Sequence, residues 1–100
     1  MDGFEILVEI NAAKRSEFLQ AFEMVKTENS LQDARIYLAL FEQVNTANTF
    51  LWIEHWQDGE SMKQYRQSNA YRMMLGAVNV LGKTLYNRMS SFGEGTYNGQ

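Results

Sequence analysis

The run Thr49-Phe50-Leu51-Trp52-Ile53-Glu54-His55-Trp56-Gln57-Asp58 constrains the fold of this chain more than any other stretch. Aromatic and β-branched residues pack well on a pleated surface, so the run reads as a strand, and the Trp-x-Asp end leads directly into a helical pattern. Side chains alternate across a strand. Trp52, Glu54 and Trp56 therefore share one face, and Leu51, Ile53 and His55 share the other. Both faces carry large apolar groups, so each requires cover.

The neighbouring segments supply that cover. Phe4, Ile6, Val8 and Ile10 alternate with Glu5, Leu7 and Glu9, the period of a half-buried first strand. Asn11 is a plausible cap for a helix over residues 12 to 28, in which Phe18, Leu19, Phe22 and Val25 recur at helical spacing. A polar break, Glu28-Asn29-Ser30 with Gln32-Asp33, precedes Arg35-Ile36-Tyr37-Leu38-Ala39-Leu40-Phe41, which is apolar on both faces of an extended chain. Asn45-Thr46-Ala47-Asn48 joins this strand to the aromatic one as an antiparallel hairpin. Beyond Asp58-Gly59, Met62 and Tyr65 mark a short helix, Ser68-Asn69 a fresh cap, and Tyr71, Met74, Leu75, Val78 and Leu81 a longer helix. Gly82 stops it, and Leu85 to Phe92 alternates as a fourth strand.

The order strand, helix, strand, strand, helix, strand is an α+β, ferredoxin-like pattern, with an antiparallel sheet and helices on one side. The other sheet face is left bare, and closed two-fold dimers are the commonest way to bury such a face. A homodimer in the form of a dimeric α/β barrel is expected. One hundred residues hold one core, so residues 1 to 92 are expected to form a single domain and 93 to 100 a mobile tail.

Composition excludes several function classes. There is no cysteine, which removes thiol nucleophiles, disulfides and thiolate metal sites. One histidine with scattered carboxylates is a poor zinc set, so no metal is expected. A net charge of −3 with dispersed basic residues gives no stripe to track phosphates, which argues against a nucleic-acid partner. No apolar stretch is long enough to span a bilayer, and the acidic start, Met1-Asp2-Gly3-Phe4-Glu5, is unlike a signal peptide. A cytoplasmic location without membrane attachment is the expectation.

The run from Phe50 to Met62, followed by Tyr65, Ser68 and Tyr71, resembles the antibiotic biosynthesis monooxygenase family of dimeric α+β barrels. The resemblance extends in outline from Phe4 to about Phe92, and it rests most on Glu54-x-Trp56-x-Asp58 before a helix. It implies a dimeric barrel and, in the anthrone and quinol oxygenases of the family, monooxygenation without a cofactor. Trp56 matches the family tryptophan that lies in the substrate cavity of those enzymes. Trp52 stands where they have an asparagine, and Met62 where they have a tyrosine. In the haem-degrading branch the iron-ligating histidine corresponds to Leu75, so axial ligation of that type has no residue here.

Candidate roles follow. His55 carries an imidazole, the side-chain type most often used as a base, and Glu54 is a carboxylate between two indoles, so either is a candidate proton acceptor, and Trp56 joins them as a candidate catalytic residue. Trp52, Tyr65 and Tyr37 are candidate contacts for a small hydrophobic or aromatic molecule, with Trp52 and Trp56 flanking a flat slot. Packing accounts of the same residues stand beside these. His55 is equally an interface histidine, Trp56 a core side chain, and Glu54 the partner of Arg35, Arg72 or Arg88. Met24, Met62, Met73, Met74 and Met89 are expected as flexible apolar filling. A dimeric binding or structural module without turnover is the alternative function.

Overall fold

A computed structural model describes residues 1–27 and 34–91. In chain order the elements are β1 (Asp2–Ile10), a 3₁₀ turn (Ala12–Lys14), α1 (Arg15–Thr27), β2 (Arg35–Glu42), β3 (Thr49–Trp56), α2 (Gly59–Arg66), α3 (Asn69–Leu81) and β4 (Gly82–Ser91). The polar break at 28–33 and the tail after Phe92 lie outside the described residues. The four strands form one antiparallel sheet in the order β2-β3-β1-β4, the ferredoxin-like arrangement expected from the sequence. Among the described residues, no helix is long and apolar enough to cross a membrane.

The helices cover one face of the sheet. Phe4, Ile6, Val8 and Ile10 of β1 and Phe50, Trp52, Glu54 and Trp56 of β3 point into that layer and are buried. They meet Phe18, Phe22 and Val25 of α1, Met62 and Tyr65 of α2, and Tyr71, Met74, Val78 and Leu81 of α3. The helical spacing of these residues places one apolar stripe of each helix on the sheet, and their burial supplies most of the fold's driving force. The opposite face remains open: Tyr37 and Phe41 of β2 are 42% and 51% exposed. They pair across the hairpin with His55 and Leu51 of β3.

Local chemistry fixes the joints. Asp58 caps α2 by accepting from the Ser61 N–H at 2.7 Å, and Ser68 caps α3 by accepting from the Tyr71 N–H at 3.2 Å. Asn11 differs from expectation: its side chain makes no cap bond, and its carbonyl instead accepts from the Lys14 N–H at 2.8 Å within the 3₁₀ turn. The fourth strand also starts earlier than the alternation implies, because Gly82 both caps α3 and opens β4. A Cβ at Gly82 would lie 2.0 Å from the Glu9 carbonyl oxygen and 2.7 Å from the Ile10 Cα, so the two backbones touch there without an intervening side chain.

The β2–β3 hairpin is clamped to the start of α1. Arg15 donates to both carboxylate oxygens of Glu42, at 2.5 and 2.7 Å, and to the Asn48 side-chain oxygen at 3.1 Å. Asn48 adopts a φ of 65°, which asparagine tolerates, and its N–H also donates to Glu42. The hydrogen bonds from Arg15, then that from Asn48, hold the Glu42 pKa down at about 2.

Candidate functional site

The centre of the buried layer is polar. Glu54, fully buried, accepts three hydrogen bonds: from Trp52 Nε1 at 2.8 Å, Trp56 Nε1 at 3.1 Å and the Tyr65 hydroxyl at 3.2 Å. Arg35 Nη1 stands 3.6 Å from Glu54 Oε1, and its side chain is 8% exposed. Of the three arginines that sequence reasoning named as possible partners, Arg35 is the one selected. Arg88 pairs with Glu5 on the other side of the sheet.

Strand geometry explains the gathering. Residues 52, 54 and 56 alternate onto one face of β3, antiparallel pairing sets Arg35 against Trp56, and α2 lays Tyr65 across them. Burial raises the Glu54 pKa, opposed first by the Arg35 charge and then by the indole and phenol donors. The Tyr65 phenol is pushed up by burial and by the neighbouring Glu54 charge, so it stays protonated and donates.

The slot expected between the two indoles is filled by protein. Tyr65 stands 4.9 Å from Trp56 between ring centroids, Tyr71 stands 5.9 Å from Trp52, and Phe4 lies 5.6 Å from Trp52 in an edge-on contact. Close packing won because α2 and α3 each contribute a tyrosine to the same space. The methionines divide too. Met62 and Met74 fill the core as expected, whereas Met24, Met73 and Met89 are 60% or more exposed, since they sit off the buried stripe of their elements.

The candidate residues do not form one site. Trp52, Glu54, Trp56 and Tyr65 meet on the helix side, while His55 and Tyr37 lie in a tilted ring contact, with centroids 5.2 Å apart, on the open sheet face.

An open cleft adjoins the buried network. It runs between α1 and the edge strand β2, with a volume of about 640 Å³ and a floor that includes Leu19, Phe22, Leu38 and Leu40. A second hollow of about 370 Å³, lined by Lys26, Arg35 and Tyr37 among others, shares Lys26 and Leu38 with it. Leu38 is the cross-strand neighbour of Glu54, and Leu40 that of Trp52, so the cleft floor backs onto the network. Sequence reasoning did not find this cleft. The available signal was β2 being apolar on both faces, but which helix would leave β2 partly uncovered depends on the packing of α1.

A four-stranded ferredoxin-like sheet with helices on one face places the chain among small α+β proteins. Within that class, the profile of the antibiotic biosynthesis monooxygenase family matches residues 5–76, and the chain belongs to this family. Among curated proteins it is similar to "Putative monooxygenase YcnE" of Bacillus subtilis (strain 168), with 28% identity over 61 residues. That match covers 61% of this chain and 64% of the relative, so the chain spans just under two thirds of the relative's length. In fold it is similar to SnoaB, a cofactor-independent oxygenase from Streptomyces nogalater solved in a mutant form, with a TM-score of 0.77, 14% identity and 90% of each chain covered. Rv0793 from Mycobacterium tuberculosis has a TM-score of 0.78 at 13% identity, covering 93% of this chain and 95% of that one.

Proposed function

We propose that this protein is a cofactor-independent monooxygenase acting on a small aromatic substrate of the quinol or anthrone kind. Family membership supports the reaction type, and SnoaB, similar in fold, is a cofactor-independent oxygenase. The observation that carries the reading is the hydrogen bond from the Tyr65 phenol to Glu54 Oε2 at 3.2 Å. A carboxylate positioned to receive a phenolic hydroxyl from the protein can receive one from a substrate once Tyr65 swings aside. Glu54 is then the proton acceptor, the face of Trp56 that Tyr65 vacates stacks on the ring, Trp52 holds Glu54 from behind, and Tyr65 hydrogen-bonds to the bound substrate. The substrate anion passes an electron to dioxygen, and recombination of the radical pair forms the carbon–oxygen bond. Loss of water leaves a carbonyl, with one oxygen atom in the product, the other in water, and the substrate as the reductant. The protein contributes the base, orientation and a dry site.

The open sheet face bearing Tyr37, His55, Phe41 and Leu51 is proposed to pack on a second copy of the chain. His55 and Tyr37 are then interface residues. Sedimentation of a single species at the monomer mass would overturn this.

Oxygen uptake with a panel of anthrones and hydroquinones tests the activity. Turnover above a heat-denatured control is expected, and Trp56→Phe should lower it without changing the sedimenting mass. Rates equal to the control across the panel would favour the second reading, a binding or structural module of the same fold. The ring packing around Glu54 is the observation in favour of that reading.

A further inference from the structure

Tyr65 is 2% exposed, and its ring is surrounded by side chains of other elements. It stands 4.9 Å from the Trp56 ring, tilted by 31°, 5.4 Å from the Tyr71 ring, crossing at 65°, and 6.4 Å from the Phe4 ring, nearly parallel at 13°. The Arg35 guanidinium lies 6.0 Å from its centroid. These four neighbours come from β1, β2, β3 and α3, and α2 supplies only the ring they surround.

Glu54 is held in place without Tyr65. Its Oε1 accepts from Trp56 and faces Arg35, and its Oε2 accepts from Trp52 as well as from Tyr65. Withdrawal of the phenol therefore leaves an aimed carboxylate oxygen at the end of a space one phenol wide, because the surrounding rings already stand at contact distance. The element that can withdraw it is α2. This helix has eight residues, fewer than an isolated helix needs to hold its form, and its buried residues are Met62 and Tyr65.

We propose that Tyr65 is the internal occupant of a binding site for one phenol ring, and that the ligand which displaces it is a single-ring phenol substituted para to its hydroxyl, as in a hydroquinone. The tyrosine side chain is itself a para-substituted phenol. A ligand of that shape repeats its ring contacts, its bond to Glu54 and its exit toward α2. Rings fused beside the hydroxyl have no such space: α-naphthol carries one there, and the enol form of anthrone carries one on each side, against Trp56, Phe4 and Tyr71. The assignment rests on the proposed proton transfer to Glu54 and narrows its substrates to single-ring quinols. A ring seated there also lies within range of the Arg35 charge, which favours the anion formed when Glu54 takes the proton. Apparent affinity is lowered by the share of molecules in which Tyr65 fills the site.

The test compares Tyr65→Ala with wild type, both as the full chain, by calorimetry and by the shift in melting temperature. The first probe is para-cresol, the free equivalent of the tyrosine side chain. It should saturate one site in Tyr65→Ala, at least about ten-fold more tightly than in wild type, because no side chain competes. Toluene, which lacks the hydroxyl, should bind about ten-fold more weakly than para-cresol, and α-naphthol should not bind. Equal affinities for para-cresol and toluene, equal affinities of variant and wild type for para-cresol, or α-naphthol bound as tightly as para-cresol would each overturn the proposal. If Tyr65→Ala does not fold, wild type decides: hydroquinone and para-methoxyphenol should bind more tightly than α-naphthol and anthrone, and any other order, or no binding at all, would overturn it. Binding is read without turnover, so para-cresol held by Tyr65→Ala with no oxygen uptake by wild type on any substrate removes the oxygenase reading alone. Oxygen uptake with anthrone removes the one-ring limit alone.

Discussion

Replacing Arg35 by methionine should make stability depend on pH in a way set by one buried carboxylate. Burial raises the Glu54 pKa, and the Arg35 charge is the first of the effects opposing it. In the unfolded chain a glutamate titrates near about 4.3. The folded protein therefore holds the Glu54 proton to higher pH than the unfolded chain does. Glu54's contribution to stability is fully present below the unfolded value and is lost as pH rises through the folded one.

Arg35→Met removes the main opposition, pushes the folded value higher and lengthens that decline. Its limiting slope for one proton is about 1.4 kcal/mol per pH unit. Well below the unfolded value, near about pH 3, Glu54 is protonated in both states, so the variant loses little beyond the long contact to Val25 and the cation–π contact to Tyr65 at 6.0 Å. At neutral pH it leaves a buried carboxylate without its cation, which costs about 3–5 kcal/mol. That is a large part of the roughly 5–15 kcal/mol that holds a domain together.

The assay is guanidinium unfolding at a fixed protomer concentration, at several pH values, read by the two tryptophans that donate to Glu54. The gap between wild type and Arg35→Met should widen with pH and shrink when Glu54→Gln is added to both. A gap that stays constant with pH would refute the coupling of these two residues.

Other outcomes follow from single contacts. Thr49 is 3% exposed and its hydroxyl has no hydrogen-bond partner among the described residues, so Thr49→Val should raise stability by about 1 kcal/mol, seen as a higher denaturation midpoint. Gly82→Ala forces a methyl into the Glu9 and Ile10 backbone and should cost at least about 1–3 kcal/mol; an unchanged melting temperature would deny the close approach. Glu42, held at about 2 by Arg15 and then Asn48, supports the hairpin loop above its unfolded value and loses that role as pH falls through about 2. Glu42→Gln should therefore speed hydrogen exchange at the Asn48 amide at neutral pH. Ser68→Ala removes the α3 cap and should cost about 1 kcal/mol in thermal unfolding.

Element type and facing were legible in the sequence because they rest on local periods. Alternation put Trp52, Glu54 and Trp56 on one side and His55 on the other before any contact was known, and helical spacing gave the buried stripes of α1 and α3. The order of elements then left few topologies, and the ferredoxin-like sheet is the one found. Tertiary structure alone decided what those faces meet. Arg35 became the partner of Glu54 through antiparallel register, which aligns residues far apart in sequence. The space beside the indoles closed because helices α2 and α3 each placed a tyrosine there, and the cleft opened because α1 leaves part of β2 uncovered. Periodicity reports which way a side chain points; the distance to what it points at is set by how whole elements pack.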